Sequence, residues 1–230
     1  MCGRYTLTVT WDELLLYYEL EQVRVPFHEP RYNIAPSQMI PALIHDGENR
    51  RIGQLKWGLV PSWATDEKMG WRTINARAET LSDKPAFRQS FARKRCIIPA
   101  DGFYEWKKLP DGKKKPMRII PARTKLFSFA GLYDTWTNPQ GERISTCTII
   151  TTTPNRVMEP IHDRMPVILS ESAIDLWLDR SIADVSKLQT LLKPCPDDWM
   201  DLYAVNPAVG SAKLDAPVCI EPAAEPPVLF

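Results

Sequence analysis

The residue with the most distinctive chemistry is Cys2, in the run Met1-Cys2-Gly3-Arg4. If Met1 is removed, Cys2 carries an α-amine and a thiol on adjacent carbons. Their unperturbed pKa values, about 8 and about 8.5, leave free amine and thiolate together near neutral pH. Such a 1,2-aminothiol suits aldehydes. The amine condenses to an imine, and the thiol closes on the same carbon to give a five-membered thiazolidine. An N-terminal cysteine can also attack acyl groups, its own amine serving as base. The plain alternative is an ordinary second residue.

Three further stretches bring together groups that could assist. Asn75-Ala76-Arg77-Ala78-Glu79 is polar at every second position. In a strand, Asn75 and Arg77 would share a face, one suited to holding a nucleophile and the other to gripping phosphate. A solvated strand edge is the alternative. Asp101-Gly102-Phe103-Tyr104-Glu105-Trp106 sets a carboxyl between two aromatics. An apolar wall raises a carboxyl pKa and makes it a better general acid near neutrality. Simple alternation would instead turn Tyr104 and Trp106 inward and Glu105 outward. Ile161-His162-Asp163-Arg164-Met165-Pro166 places a proton shuttle, an acid and a guanidinium on a turn before a strand.

The elements that must position these residues are short. Prolines number 21 against 10 glycines. Thr10-Trp11-Asp12-Glu13 is a capping-box pattern that predicts a helix over 10–20. Residues 40–45 and 52–59 around Asp46-Gly47 predict a hairpin, as do 104–107 and 117–120 around Pro110-Asp111-Gly112. Residues 126–133, 144–152 and 167–169 read as nearly continuous apolar strands, and helices are expected at 85–93, 171–179 and 184–193. A strand-rich middle with flanking helices indicates an α+β fold around a barrel-like or strongly bent sheet. No repeat or linker divides the chain. The domain is expected over 1–216, with a loose Pro-rich tail over 217–230.

Composition narrows the function classes. The chain has 230 residues and a formal net charge of +1, so no global field advertises a polyanion. Charge is nevertheless uneven: residues 88–118 sum to +7 and residues 197–230 to −5. Taken alone, this reads as a solvated basic face folded against an acidic tail. Five cysteines without C-x-x-C spacing fit a reducing cytoplasm, and the three histidines lack zinc-like spacing, so no metal is expected. No apolar run approaches membrane-spanning length, and acidic residues interrupt the first 20 positions before any leader-like stretch.

The motifs together resemble the SRAP family (SOS-response-associated peptidase), whose members process abasic sites. The resemblance rests on Met1-Cys2-Gly3-Arg4, Arg31-Tyr32-Asn33-Ile34-Ala35-Pro36, Trp57-Gly58 with Pro61-Ser62-Trp63, Ile74-Asn75-Ala76-Arg77-Ala78-Glu79, Cys96 with Pro99 to Trp106, and His162-Asp163-Arg164-Met165-Pro166, in the family's order. It implies a single α+β domain with a distorted antiparallel β-barrel core and flanking helices. It implies autoproteolytic loss of Met1, then capture of an abasic sugar aldehyde in single-stranded DNA as a thiazolidine crosslink. Reversal or lyase chemistry could accompany it.

By motif position, Cys2 is the nucleophile, and Asn75 holds its amine and the sugar. Glu105 is the general acid and base, and His162 assists proton transfer at the imine. Arg4, Arg77, Thr151 and Arg164 are phosphate contacts, and Asn33, Pro36 and Trp63 shape the strand around the lesion. The expected partner is single-stranded DNA carrying abasic sites, bound by a monomer without cofactor, in the cytoplasm and at the nucleoid when bound. Two other classes compete. A class II glutamine amidotransferase also begins Met-Cys-Gly, but the Arg-Gly-Pro, Asn-Gly and Gly-Asp motifs of its glutamine pocket are missing. A non-catalytic single-strand-binding module would leave Cys2 idle.

Overall fold

Thr10 begins the first helix as its capping box requires. Its hydroxyl accepts from the Glu13 N–H, and the Glu13 carboxylate accepts from the Thr10 N–H. A computed structural model of the chain describes residues 2–20, 28–182 and 184–224. In order, the elements are β1 (Tyr5–Leu7), α1 (Trp11–Tyr17), β2 (Arg31–Ile34), β3 (Met39–His45), β4 (Arg50–Trp57), β5 (Asn75–Arg77), α2 (Pro85–Arg93), β6 (Arg95–Ala100), β7 (Gly102–Lys108), β8 (Lys114–Pro121), β9 (Phe127–Thr137), β10 (Arg143–Thr152), β11 (Met165–Pro166), β12 (Ile168–Leu169), α3 (Glu171–Leu178), α4 (Val185–Gln189) and β13 (Met200–Ala204). The expected hairpins are β3–β4 and β7–β8. Asp46 builds the first turn by accepting from the N–H groups of Glu48 and Asn49, and Gly47 supplies its φ of 119°.

Strands β10, β4, β3, β6 and β9 are hydrogen-bonded in that order, and β9 returns to β10, closing a five-stranded barrel. Leu43, Ile97, Phe129, Leu132 and Ile149 of these strands are fully buried. Burying each such side chain contributes about 1.5–3 kcal/mol. The expected α+β barrel is therefore present, with one seam parallel: Thr146 pairs with Lys56 and Cys147 with Trp57. A second sheet, β13-β8-β7-β1-β2, packs beside it. Tyr5 joins the two, its ring edge-on to Trp57 at 5.5 Å and to Phe129 at 6.3 Å.

Three expectations change. Helix α1 ends at Tyr17 rather than 20, and Glu19 takes a positive φ of 52°. Helix α4 stops at Gln189, short of 193. The chain from Pro217 is not loose throughout: residues Pro217–Ile220 form a 3-10 turn, Cys219 is fully buried, and Val205 bridges to Pro222. Apolar Cys219 fills a small second core with Tyr104, Val205 and Val209, which outweighs the proline-rich composition. Residues 225–230 lie outside the described residues. Among the described residues, no helix is long and apolar enough to cross a membrane.

Candidate functional site

Pairing between β1 and β7 brings the start of the chain to Glu105. Tyr5 sits opposite Phe103, and the Tyr104 N–H donates to the Arg4 carbonyl at 3.0 Å. The chain preceding β1 therefore runs alongside Glu105 and Trp106. Cys2 is fully buried there, its thiol 3.9 Å from the Arg4 carbonyl. Burial first, and the nearby Glu105 carboxylate second, push the thiol well above its ordinary range.

The face that Glu105 occupies reverses the alternation reading. Phe103 and Met117 belong to the main core, whereas Tyr104 and Trp106 pack into the second cluster across the sheet. Met117 lies opposite Glu105 on β8, so Glu105 points to the inner face with Phe103, only 4% exposed. Its carboxyl is raised above the usual range, chiefly by burial, against an opposing pull from His162. The flanking aromatics are not its wall; the barrel side of the sheet is.

Asn75 reaches Cys2 from the other sheet. Strand β5 runs parallel to β10, with Asn75 opposite Ile149, and the Trp57 indole N–H fixes the preceding residue by donating to the Ile74 carbonyl at 2.8 Å. From there the Asn75 Nδ2 donates to the Cys2 carbonyl at 2.9 Å. Its Oδ1 is buried without a hydrogen-bond partner among the described residues.

His162 is delivered by the connection from β10 to β11. A turn ending in the His162 N–H donating to the Met158 carbonyl leads into β11, where Met165 pairs with Thr152. His162 Nδ1 lies 3.0 Å from the Arg164 backbone nitrogen, and Nε2 faces Glu105 Oε2 at 4.0 Å. Asp163 Oδ1 lies 2.8 Å from the same Nδ1. Cys2, Asn75, Glu105 and His162 thus meet, from four segments.

The other expected residues divide into two groups. Arg77 is exposed, as is Trp63, at 53%. Pro36 is half-buried beside Ser37, which has a positive φ of 71°. Four residues are engaged within the protein. Arg4 donates to Asn33 Oδ1 at 2.9 Å and to the Val209 carbonyl at 3.2 Å. Asn33 is fully buried and donates to the carbonyls of Val209, Ser211 and Leu214, fastening the C-terminal segment. Arg164 grips Glu79 with both arms, at 2.8 and 2.9 Å, and donates to the carbonyl of buried Thr151 at 2.6 Å. These hydrogen bonds hold the Glu79 carboxyl below the usual range. Trp71, 68% exposed on the loop that also carries Trp63, was not singled out from sequence, because a lone Trp in a short polar stretch has no periodic signature. Among the described residues, no cluster of three or more His, Cys, Asp or Glu side chains could hold a metal ion.

The model of the family described as SOS response associated peptidase (SRAP) matches residues 1–212. The chain belongs to the SRAP family. It is 52% identical over 223 residues to the abasic site processing protein YoqW of Bacillus subtilis (strain 168), covering 96% of this chain and 99% of that one. It is 31% identical to the abasic site processing protein HMCES of Rattus norvegicus, covering 97% of this chain and 76% of that protein. An X-ray structure of a Bacteroides thetaiotaomicron protein superposes with a TM-score of 0.88 at 28% identity, over 97% of this chain and all of that one. Family membership sets aside the amidotransferase alternative.

Proposed function

We propose that this SRAP protein captures the ring-opened aldehyde of an abasic site in single-stranded DNA, using Cys2 as an N-terminal aminothiol. The carrying observation is the convergence of Cys2, Asn75, Glu105 and His162, and the names of the relatives supply the substrate class. Met1 lies outside the described residues. Its removal is hydrolysis of the Met1–Cys2 amide, which consumes one water and frees the Cys2 amine.

The amine then adds to the aldehyde carbon. Proton donation to the carbinolamine hydroxyl expels water and leaves a protonated imine. Glu105 suits this step, because burial keeps its carboxyl protonated to higher pH than an exposed carboxyl. The thiol gives its proton back to the Glu105 carboxylate, its sulfur adds to the same carbon, and the neutral thiazolidine closes. A buried thiol ionises poorly, so ring closure needs the base that Glu105 has become after giving up its proton. His162 Nε2 stands beside that carboxyl as a proton relay, and the pair also serves reversal, in which the same proton moves run backwards. The Asn75 Oδ1 acceptor is available to the freed amine or a sugar hydroxyl. Exposed Trp63 and Trp71 offer stacking surfaces for unpaired bases, which are sequence-tolerant. Arg77 makes the phosphate contact, whereas Arg4 and Arg164 hold the walls of the site.

The test is the intact mass of the protein after incubation with an abasic single-stranded oligonucleotide. The expected product lacks Met1 and carries the oligonucleotide minus one water. An unmodified mass with DNA bound only non-covalently would favour the binding-module reading.

A further inference from the structure

The basic segment at 88–118 does not form one face. Arg95 is buried, donating to the carbonyls of Phe91, Ala92 and Trp177, and it fastens α2 to α3. Arg118 is buried against Thr6, Asp101 and Tyr203. Lys94 pairs with Asp134 at 2.6 Å. Nor does the acidic C-terminal segment cover the rest, since its ion-paired carboxylates, Asp215 and Asp198, bind Arg31 and Arg123. What remains concentrated is the outer half of the β7–β8 hairpin.

There the register sets lysine directly against lysine: Lys107 opposite Lys115, and Lys108 opposite Lys114. Like charges placed directly across a strand pair repel and are destabilising. Among the described residues none of the four has an ion-pair partner, and the acid at the tip, Asp111, is paired with Lys113 at 3.3 Å. The two pairs face opposite ways. Alternation puts Lys107 on the side of Phe103 and Glu105, with Lys115 beside it, and puts Lys108 and Lys114 on the side of Tyr104 and Trp106. Two residues along a strand is about 7 Å. Lys107 and Lys115 therefore stand one short step outward from the buried carboxyl, on its face. A nucleic-acid strand with one sugar at Cys2 would pass its neighbouring phosphate near them.

We propose that Lys107 and Lys115 form a phosphate clamp for the single strand as it leaves the Cys2 pocket. The clamp rests on the proposed reading of the site as a single-stranded DNA site. Phosphate between the two ammonium groups relieves the repulsion that the free hairpin carries. Lys108 and Lys114, equally basic and equally close in sequence, serve as the internal comparison because they face away.

The experiment measures equilibrium binding of an intact, lesion-free single-stranded oligonucleotide against salt, for wild type, K107Q/K115Q and K108Q/K114Q. With about −0.7 in log–log slope per phosphate contact, three contacts at Arg77, Lys107 and Lys115 give roughly −2 for wild type. K107Q/K115Q should flatten the slope to about −0.7, while K108Q/K114Q should keep the wild-type value. At saturating abasic oligonucleotide, K108Q/K114Q should reach wild-type crosslink yield on a denaturing gel, and circular dichroism spectra matching wild type in both variants verify folding. An unchanged slope in K107Q/K115Q, or equal flattening in both variants, overturns the clamp. Failure of the Cys2 reading is seen separately, as absence of any crosslink in wild type.

Discussion

Burial governs both groups closest to the proposed bond-forming atom. It raises the Cys2 thiol and the Glu105 carboxyl together, and in the proposed mechanism the thiol depends on the carboxyl for deprotonation. Cys2→Ala should abolish heat-stable crosslinking while leaving lesion-free DNA binding within twofold, as read on denaturing and native gels. Cys2→Ser keeps the amine but closes a weaker ring, so its adduct should be heat-labile. Glu105→Gln retains hydrogen bonding but exchanges no proton, so crosslinking and reversal should both slow by about 10²–10⁴-fold in single-turnover assays. The same substitution has a stability signature. The folded state holds the Glu105 proton to higher pH than the unfolded chain, so that proton favours folding below the unfolded value of about 4.3. The advantage is lost as pH rises through the folded value. Urea midpoints of Glu105→Gln should therefore gain on wild type as pH climbs from 4 towards neutrality. At this scale the sequence named the chemical types and missed the surroundings. Glu105 was read as walled by Tyr104 and Trp106, but strand alternation sends those rings to the opposite face. The family resemblance implies Arg4 and Arg164 as phosphate contacts; the fold engages them with Asn33 and Glu79, partners that no local sequence signal names.

Two elements make direct, testable demands on the chain. Gly58 has a φ of 126°, and a Cβ there would meet the Gly70 carbonyl oxygen at 2.7 Å; one on Gly70 would meet the Gly58 oxygen at 2.8 Å. This backbone-to-backbone approach ties both ends of the loop that displays Trp63 and Trp71. Gly70→Ala should lower stability by about 1–3 kcal/mol in urea unfolding and should weaken single-stranded DNA binding, because backbone cannot give way as a flexible side chain can. The β7–β8 hairpin makes the opposite demand: Lys108→Glu turns a repulsive cross-strand pair into an attractive one and should raise stability by about 0.2–1 kcal/mol. The hairpins, the first helix cap and the long strands β9 and β10 were legible because turn residues and apolar runs are local signals. The three-residue strand β5 was legible only as an alternating polar pattern, and its parallel partner β10 was not, since nothing local encodes a pairing across more than seventy residues.

Across the whole molecule, a net charge of +1 conceals a spatial sorting of charge. Buried arginines serve structure, and four lysines without an ion-pair partner among the described residues face one another across one hairpin. Single-stranded DNA should bind more tightly than intact duplex, and a flat salt response would remove the phosphate contacts altogether. The fold class was readable from strand-rich patterning. The closing of the barrel through a parallel seam was not, and neither was the anchoring of residues 217–222 by a buried Cys219. The β5–β10 pairing carries one more consequence, which concerns time. Parallel strands need a long crossover, and distant pairings form slowly. On a ribosome Cys2 emerges first, Asn75 follows, and the strand that seats Asn75 is made about as long again afterwards. Until then neither Glu105 nor His162 is in place to assist Cys2, whose amine stays an amide for as long as Met1 is attached. In refolding experiments, abasic capture should lag behind the first change in tryptophan fluorescence and coincide with the last. On the proposed reading, selectivity arrives when the barrel closes, so abasic capture would also report that folding is complete.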